Sequence, residues 1–150
     1  MDFCKIFYIL AVILAAHVPS ILGLTLHGIE IRTVSLNGTL SCPYNENLKL
    51  TMQSYGVDQA TVEIQCGITG TVISRARTDY MGHFDFFFTT ERFPLFNPSS
   101  CDVVINLPVA CCALPSTGLV RAYIIEETVA QTTDGAQAFF HASAFTWSIA

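Results

Sequence analysis

The sequence predicts an all-β protein: a single small antiparallel β-sandwich or barrel of about seven strands, stapled by disulfides. Three observations lead there. Apolar and polar residues alternate in short runs, no window carries a helical stripe, and turn residues punctuate the runs at regular spacing. The chain has six cysteines in 150 residues without a C-x-x-C or Cys/His metal spacing, which reads as a disulfide framework in a secreted protein.

The first element is not part of the fold. "MDFCKIFYILAVILAAHVPSILG" opens with one lysine, continues as an apolar run over residues 6–16, and ends on small residues at Ser20 and Gly23. That is a secretory signal peptide over residues 1–23, with cleavage expected after Ser20 or Gly23. The run falls short of the roughly 20 apolar residues a membrane span needs, and His17, Val18, Pro19 and Ser20 interrupt it. The mature chain, residues 24–150, is expected to be one secreted, soluble β domain without linker or internal repeat.

The strands follow in order. "LTLHGIEIRTV" places Leu24, Leu26, Ile29 and Ile31 around a glycine, "VSLNGTLSC" follows, and residues 43–58 read as a polar loop. In "ATVEIQC", Val62, Ile64 and Cys66 face inward against Thr61, Glu63 and Gln65. "GTVISRART" is the next strand. "TDYMG" supplies a turn, in which Asp79 can close an Asx turn and Gly82 provides the unusual backbone angle. In "HFDFFF", Phe84, Phe86 and Phe88 share one face as core, which leaves Phe87 on the face that meets water. "ERFPLFNPSS" ends that strand as a loop on its two prolines. "CDVVINL", "LVRAYIIEE" and "AQAFFHASAFTWSIA" complete the set.

Composition limits the function. Charged residues make up 13% of the chain, against roughly 25% in an ordinary soluble protein. The formal charge is -5, and losing Asp2 and Lys5 with the signal leaves it there. So few cations argue against nucleic acid. Low charge with 51% hydrophobic residues suits a protein that meets hydrophobic surfaces, or one with a large core. Phe87 and the aromatic tail "AFFHASAFTW" are the expected outer apolar surface.

No catalytic constellation assembles. The nucleophile elbow G-x-S-x-G and the zincin H-E-x-x-H are absent. His27, His83 and His141 are isolated strand histidines. Glu126 and Glu127 are adjacent, so on a regular strand they face opposite ways and cannot flank one glycosidic bond. Arg75 and Arg77 share a face that would clamp an anion or, more ordinarily, be balanced by Asp79 or Asp85. No enzyme, metal or cofactor is expected. "NGT" at Asn37 is a glycosylation acceptor if exposed and equally a strand segment, whereas Pro98 disqualifies Asn97. Of the five mature cysteines, two bridges and one spare thiol is the natural count.

At "NGTLSC", "ATVEIQCG", "TDYMGHFDF" and "SCDVVINLPVACCALPSTGL" the chain resembles the plant pollen Ole e 1/extensin-like family, and within it the phylloplanin-like branch. The resemblance implies bridges from Cys66 to Cys101 and from Cys42 to the "CC" pair, best at Cys112, with Cys111 left over. "CPYN" lacks the second cysteine of the larger pollen allergens, and the tail after Pro115 has no matching cysteine; both favour the smaller, more hydrophobic branch. The function implied is that of a secreted, non-enzymatic plant surface-defence protein inhibiting microbial spores or hyphae. The alternative is a cell-wall or extracellular-matrix protein of growth or pollen tissue that binds polysaccharide; a small hydrolase comes a distant third. The expected partners are hydrophobic surfaces, microbial wall or membrane components, or plant cell-wall polysaccharide.

Overall fold

The structure, a computed structural model, describes residues 23–42, 55–110, 114 and 116–148. The predicted signal peptide, apart from Gly23, and the predicted bridge partners Cys111 and Cys112 lie outside the described residues. Within them every regular element is a strand: β1 (Leu24–Leu26), β2 (Ile29–Thr39), β3 (Ser41–Cys42), β4 (Tyr55–Gly56), β5 (Thr61–Cys66), β6 (Thr71–Arg77), β7 (His83–Thr89), β8 (Cys101–Asn106), β9 (Leu119–Thr132), β10 (Gly135–Ala142) and β11 (Thr146–Ser148). No described helix is long and apolar enough to cross a membrane.

The alternation expected of β7 is present in full. Phe84, Phe86 and Phe88 are 2%, 3% and 6% exposed, whereas Phe87 is 69% exposed. On β5, Val62, Ile64 and Cys66 are buried as their period of two requires, but Glu63, expected on the outward face, is buried as well. β1 and β2 form a hairpin about His27 and Gly28, and β2 then runs unbroken through Val34, where the sequence suggested a junction. Residues 55–56, expected in a loop, pair as β4 with β3.

The sheet runs β1-β2-β10-β9-β8-β5-β6, with β7 also on β2 and β11 also on β9. Two expectations fail here. The sheet is mixed, because β10 pairs with β2 in parallel. Such partners lie far apart in the chain and need no hairpin, so no local signal marks them. Nor does a barrel close, since no ladder joins β6 to β7. The turn between them is held elsewhere. Thr78 Oγ1 donates to Val57 O at 2.6 Å and accepts from Ala60 N at 2.9 Å, and Gly82 O accepts from Leu40 N at 2.8 Å. The chain is thereby turned from one sheet edge onto another instead of folding back as a hairpin.

β9, 14 residues long, pairs with β8 through its first part and with β10 through its second. Both parts of the sheet feed one core. Val34, Leu36, Phe84, Phe86 and Phe140 meet Val62, Ile64, Val103, Ile105 and Val120 there. Cys66 and Cys101, register partners on β5 and β8, are disulfide-bonded inside it.

Two aromatic segments lie deeper than their sequence suggests. The loop after β7 carries Phe93 and Phe96 edge-on against Phe88, with ring centroids 5.1 Å and 5.0 Å away, and Phe96 reaches Phe140 at 5.7 Å. Two aromatics of the tail turn away from the expected apolar surface, while Phe139 stays half-buried on the outer side. Phe140 is fully buried, and Phe145 packs edge-on to Phe84 at 6.1 Å. The tail also divides into β10 and β11 because Phe145 turns into the core between them.

Candidate functional site: an outer face and its groove

The outer face of β7, β2 and β10 can be read from their register. Thr89 lies opposite Thr33, and Thr33 opposite Gln137; the next row is Phe87, Ser35 and Phe139, and the third is Asp85, Asn37 and His141. With histidine neutral, Asp85 is the one formal charge in these three rows. Phe87 stands open, and Phe139, across Ser35, is half-buried. A weakly charged sheet face carrying an open aromatic ring is therefore present, with the open ring on β7 and the half-buried Phe139 of the tail beside it.

At the Thr33 end of this face the ladder is irregular. Ala136 opposes Ile31 and Gln137 opposes Thr33, so Arg32 is an extra residue, a β-bulge in β2. Thr90, itself buried, holds the bulge: its backbone N–H donates to Arg32 O at 2.9 Å and its hydroxyl donates to Ile31 O at 2.8 Å. From the other side Gly135 supports the Arg32 side chain. Its φ is +116°, and a Cβ there would run into Arg32 Cδ and crowd Cγ. Arg32 lines a groove of about 470 Å3 together with Glu30, Thr33, Thr89, Glu91 and Asp134. Among the described residues Arg32 forms no ion pair, although three carboxylates line the same groove.

Elsewhere the polar groups satisfy one another. Glu63, 9% exposed, accepts from Arg75 Nε at 3.1 Å and from Gln65 Nε2 at 3.0 Å. Burial pushes its carboxyl up, but the hydrogen bonds from Gln65 and Arg75, the Arg75 charge and the Asn106 hydrogen bond outweigh this and hold it below its ordinary value. The expected balance of Arg75 and Arg77 by Asp79 or Asp85 is corrected: Arg75 pairs with Glu63 and Arg77 donates to Gln59 at 3.3 Å. The cause is position, because β6 lies against β5 and Asp79 is occupied in its own turn. There it accepts from the N–H groups of Met81 at 2.8 Å and His83 at 3.0 Å, beside Gly82 at φ 80°.

The histidines are separate from one another. His27 contacts Glu126 at 2.6 Å, His83 contacts Thr39 at 2.8 Å, and His141 Nδ1 lies 3.0 Å from Glu127, off the direction of a hydrogen bond. The glutamates sit at a second bulge, where Phe139 faces Thr128 and Phe140 faces Glu126, so the regular alternation assumed for this pair does not hold. Among the described residues no group of three or more acids, histidines and cysteines could hold a metal ion. Cys42 is disulfide-bonded, and its expected partner Cys112 lies outside the described residues. Asn37 is exposed in the middle of the outer face.

Sequence reasoning missed Arg32, Thr90 and Gly135. "GIEIRTV" alternates like any strand, and only the step from Ala136 to Gln137 on a distant partner reveals the bulge. Asp134-Gly135 is a turn signal in the sequence, but it gives no hint of what the glycine supports.

A family model described as "Phylloplanin antifungal protein" matches residues 30–145. Among solved structures the chain is similar to the major plantain pollen allergen Pla l 1, at 14% identity and a TM-score of 0.40, over 75% of this chain and 95% of that one. No curated protein matches it in sequence.

Proposed function

The chain belongs to the phylloplanin family, and on that premise we propose that it is a secreted plant surface-defence protein that inhibits microbial spores or hyphae by contact, without catalysis. The family's description as antifungal supports the class of activity. The observation that carries the contact mechanism is Phe87, 69% exposed on a sheet face with one formal charge in three rows. Aromatic residues are enriched at interaction surfaces, which supports reading the exposed ring beside Phe139 as a contact point. Residues 1–23 are read as the cleaved leader, residues 24–150 as the mature domain with its sheet halves packed as a sandwich, and Cys42–Cys112 as the second bridge.

The test is germination of fungal spores in purified, oxidised protein. Inhibition is expected, with no turnover of wall polymers, and Phe87→Ser should weaken it while the fold is kept. Tight binding to pectin or arabinogalactan with spores unharmed would replace this reading with a role in the plant's own cell wall.

A further inference from the structure

Arg32 is held more firmly than an isolated surface arginine requires. A bulge lifts it out of the β2–β10 ladder, the buried Thr90 clamps the carbonyls on either side of that bulge, and a glycine with positive φ makes room for its side chain. These features hold the backbone and stem of an arginine whose guanidinium has five N–H donors and no ion-pair partner among the described residues. Its groove and the Phe87 face are contiguous. Thr33 and Thr89 belong to both, and Thr89 lies two residues along β7 from Phe87, about 7 Å away.

We infer that the Arg32 groove and the Phe87 face form one binding site for an uncharged pyranose chain of the kind fungal walls present. The chemistry selects that class. A pyranose ring offers an apolar face to an aromatic ring, and hydroxyls that both donate and accept. Phe87 meets the first need, and Arg32, the threonine hydroxyls and the carboxylates of Glu30, Glu91 and Asp134 meet the second. Three acids against one arginine leave the groove net negative, which opposes pectate, phosphate and nucleic acid. Burying an acyl chain there would strip water from four charged groups without giving them partners, which opposes lipid. A sugar ring stacked on Phe87 brings its neighbour to the groove mouth at Thr89, within the surroundings of Arg32.

The inference rests on the contact-inhibition reading, and the two can fail separately. Oxidised protein is incubated with insoluble chitin, insoluble β-1,3-glucan, polygalacturonate and zwitterionic phospholipid vesicles, and the bound fraction is measured beside spore germination. Binding is expected to at least one neutral glycan and not to polygalacturonate or vesicles. Arg32→Gln and Phe87→Ser should each weaken it about thirtyfold or more, the range of a binding hot spot, with melting unchanged. Arg32→Lys should restore part of the loss, and Ile68→Ser, in a remote turn, should change nothing. No binding to either neutral glycan, preference for vesicles, or undiminished binding by Arg32→Gln overturns the inference. If germination is still inhibited in that event, the functional reading stands; glycan binding that leaves germination unaffected rejects the function and keeps the site.

Discussion

Phe84 and Phe87 lie three positions apart on one strand and have opposite surroundings. Phe84→Ala removes a ring that meets Phe86 and Phe145 in the core and should cost about 3–5 kcal/mol in denaturant melts. Phe87→Ser should stay within about 0.5 kcal/mol, as exposed positions do. Glu63 gives a pH signature. Its carboxyl titrates below its ordinary 4.5 in the folded protein, so the unfolded chain takes up the proton first. The stability it contributes is complete above that ordinary value and is lost as pH falls through the depressed folded one. Glu63→Gln should therefore flatten the acid limb of a stability–pH profile. Asn37 links the face to modification. A glycan there would stand beside Phe87, so material glycosylated at Asn37 should bind neutral glycans less well than Asn37→Gln. Mass spectrometry of plant-made protein, followed by the binding assay, checks both steps. Burial of the β7 phenylalanines was legible because a period of two is local. Glu63's burial was not, because its neighbour Arg75 reaches it only once β5 and β6 have paired.

At the scale of elements, the Cys66–Cys101 bridge ties β5 to β8 across 35 residues of chain containing β6, β7 and the Phe93–Phe96 loop. Replacing both cysteines by alanine should cost about 2–4 kcal/mol. Non-reducing peptide mapping should recover this bridge together with Cys42–Cys112; a Cys42–Cys111 peptide would shift the proposed register by one residue and keep the framework. Thr90→Val tests the bulge. It leaves Ile31 O without its hydroxyl donor in a buried setting and should cost about 1–3 kcal/mol, while loosening the support of Arg32. Strands with clear alternation, such as β5 and β7, were legible almost to their ends. The two-residue β3–β4 pair was not, because so short a ladder has no period to read.

For the whole molecule, the proposed leader makes a direct prediction: N-terminal sequencing of secreted protein should begin between Ile21 and Leu24, and full-length material retained in a membrane would contradict it. Alternation, turn residues and cysteine count by themselves determined an all-β chain, the inward face of β7 and the expectation of two bridges, because each of these rests on neighbours within a few residues or on residue chemistry alone. Which cysteines pair was implied by the family resemblance. Only the tertiary structure decided which strands meet. It made β10 the parallel partner of β2, left β6 and β7 without a shared ladder, and drew Phe96, Phe140 and Phe145 into the core. The same long-range pairing builds the proposed site. Arg32 is a bulge only by reference to β10, and it meets Gly135 only because residues about a hundred positions apart share one sheet. Periodicity in a sequence records which way a side chain points; what it points at depends on contacts made across the fold.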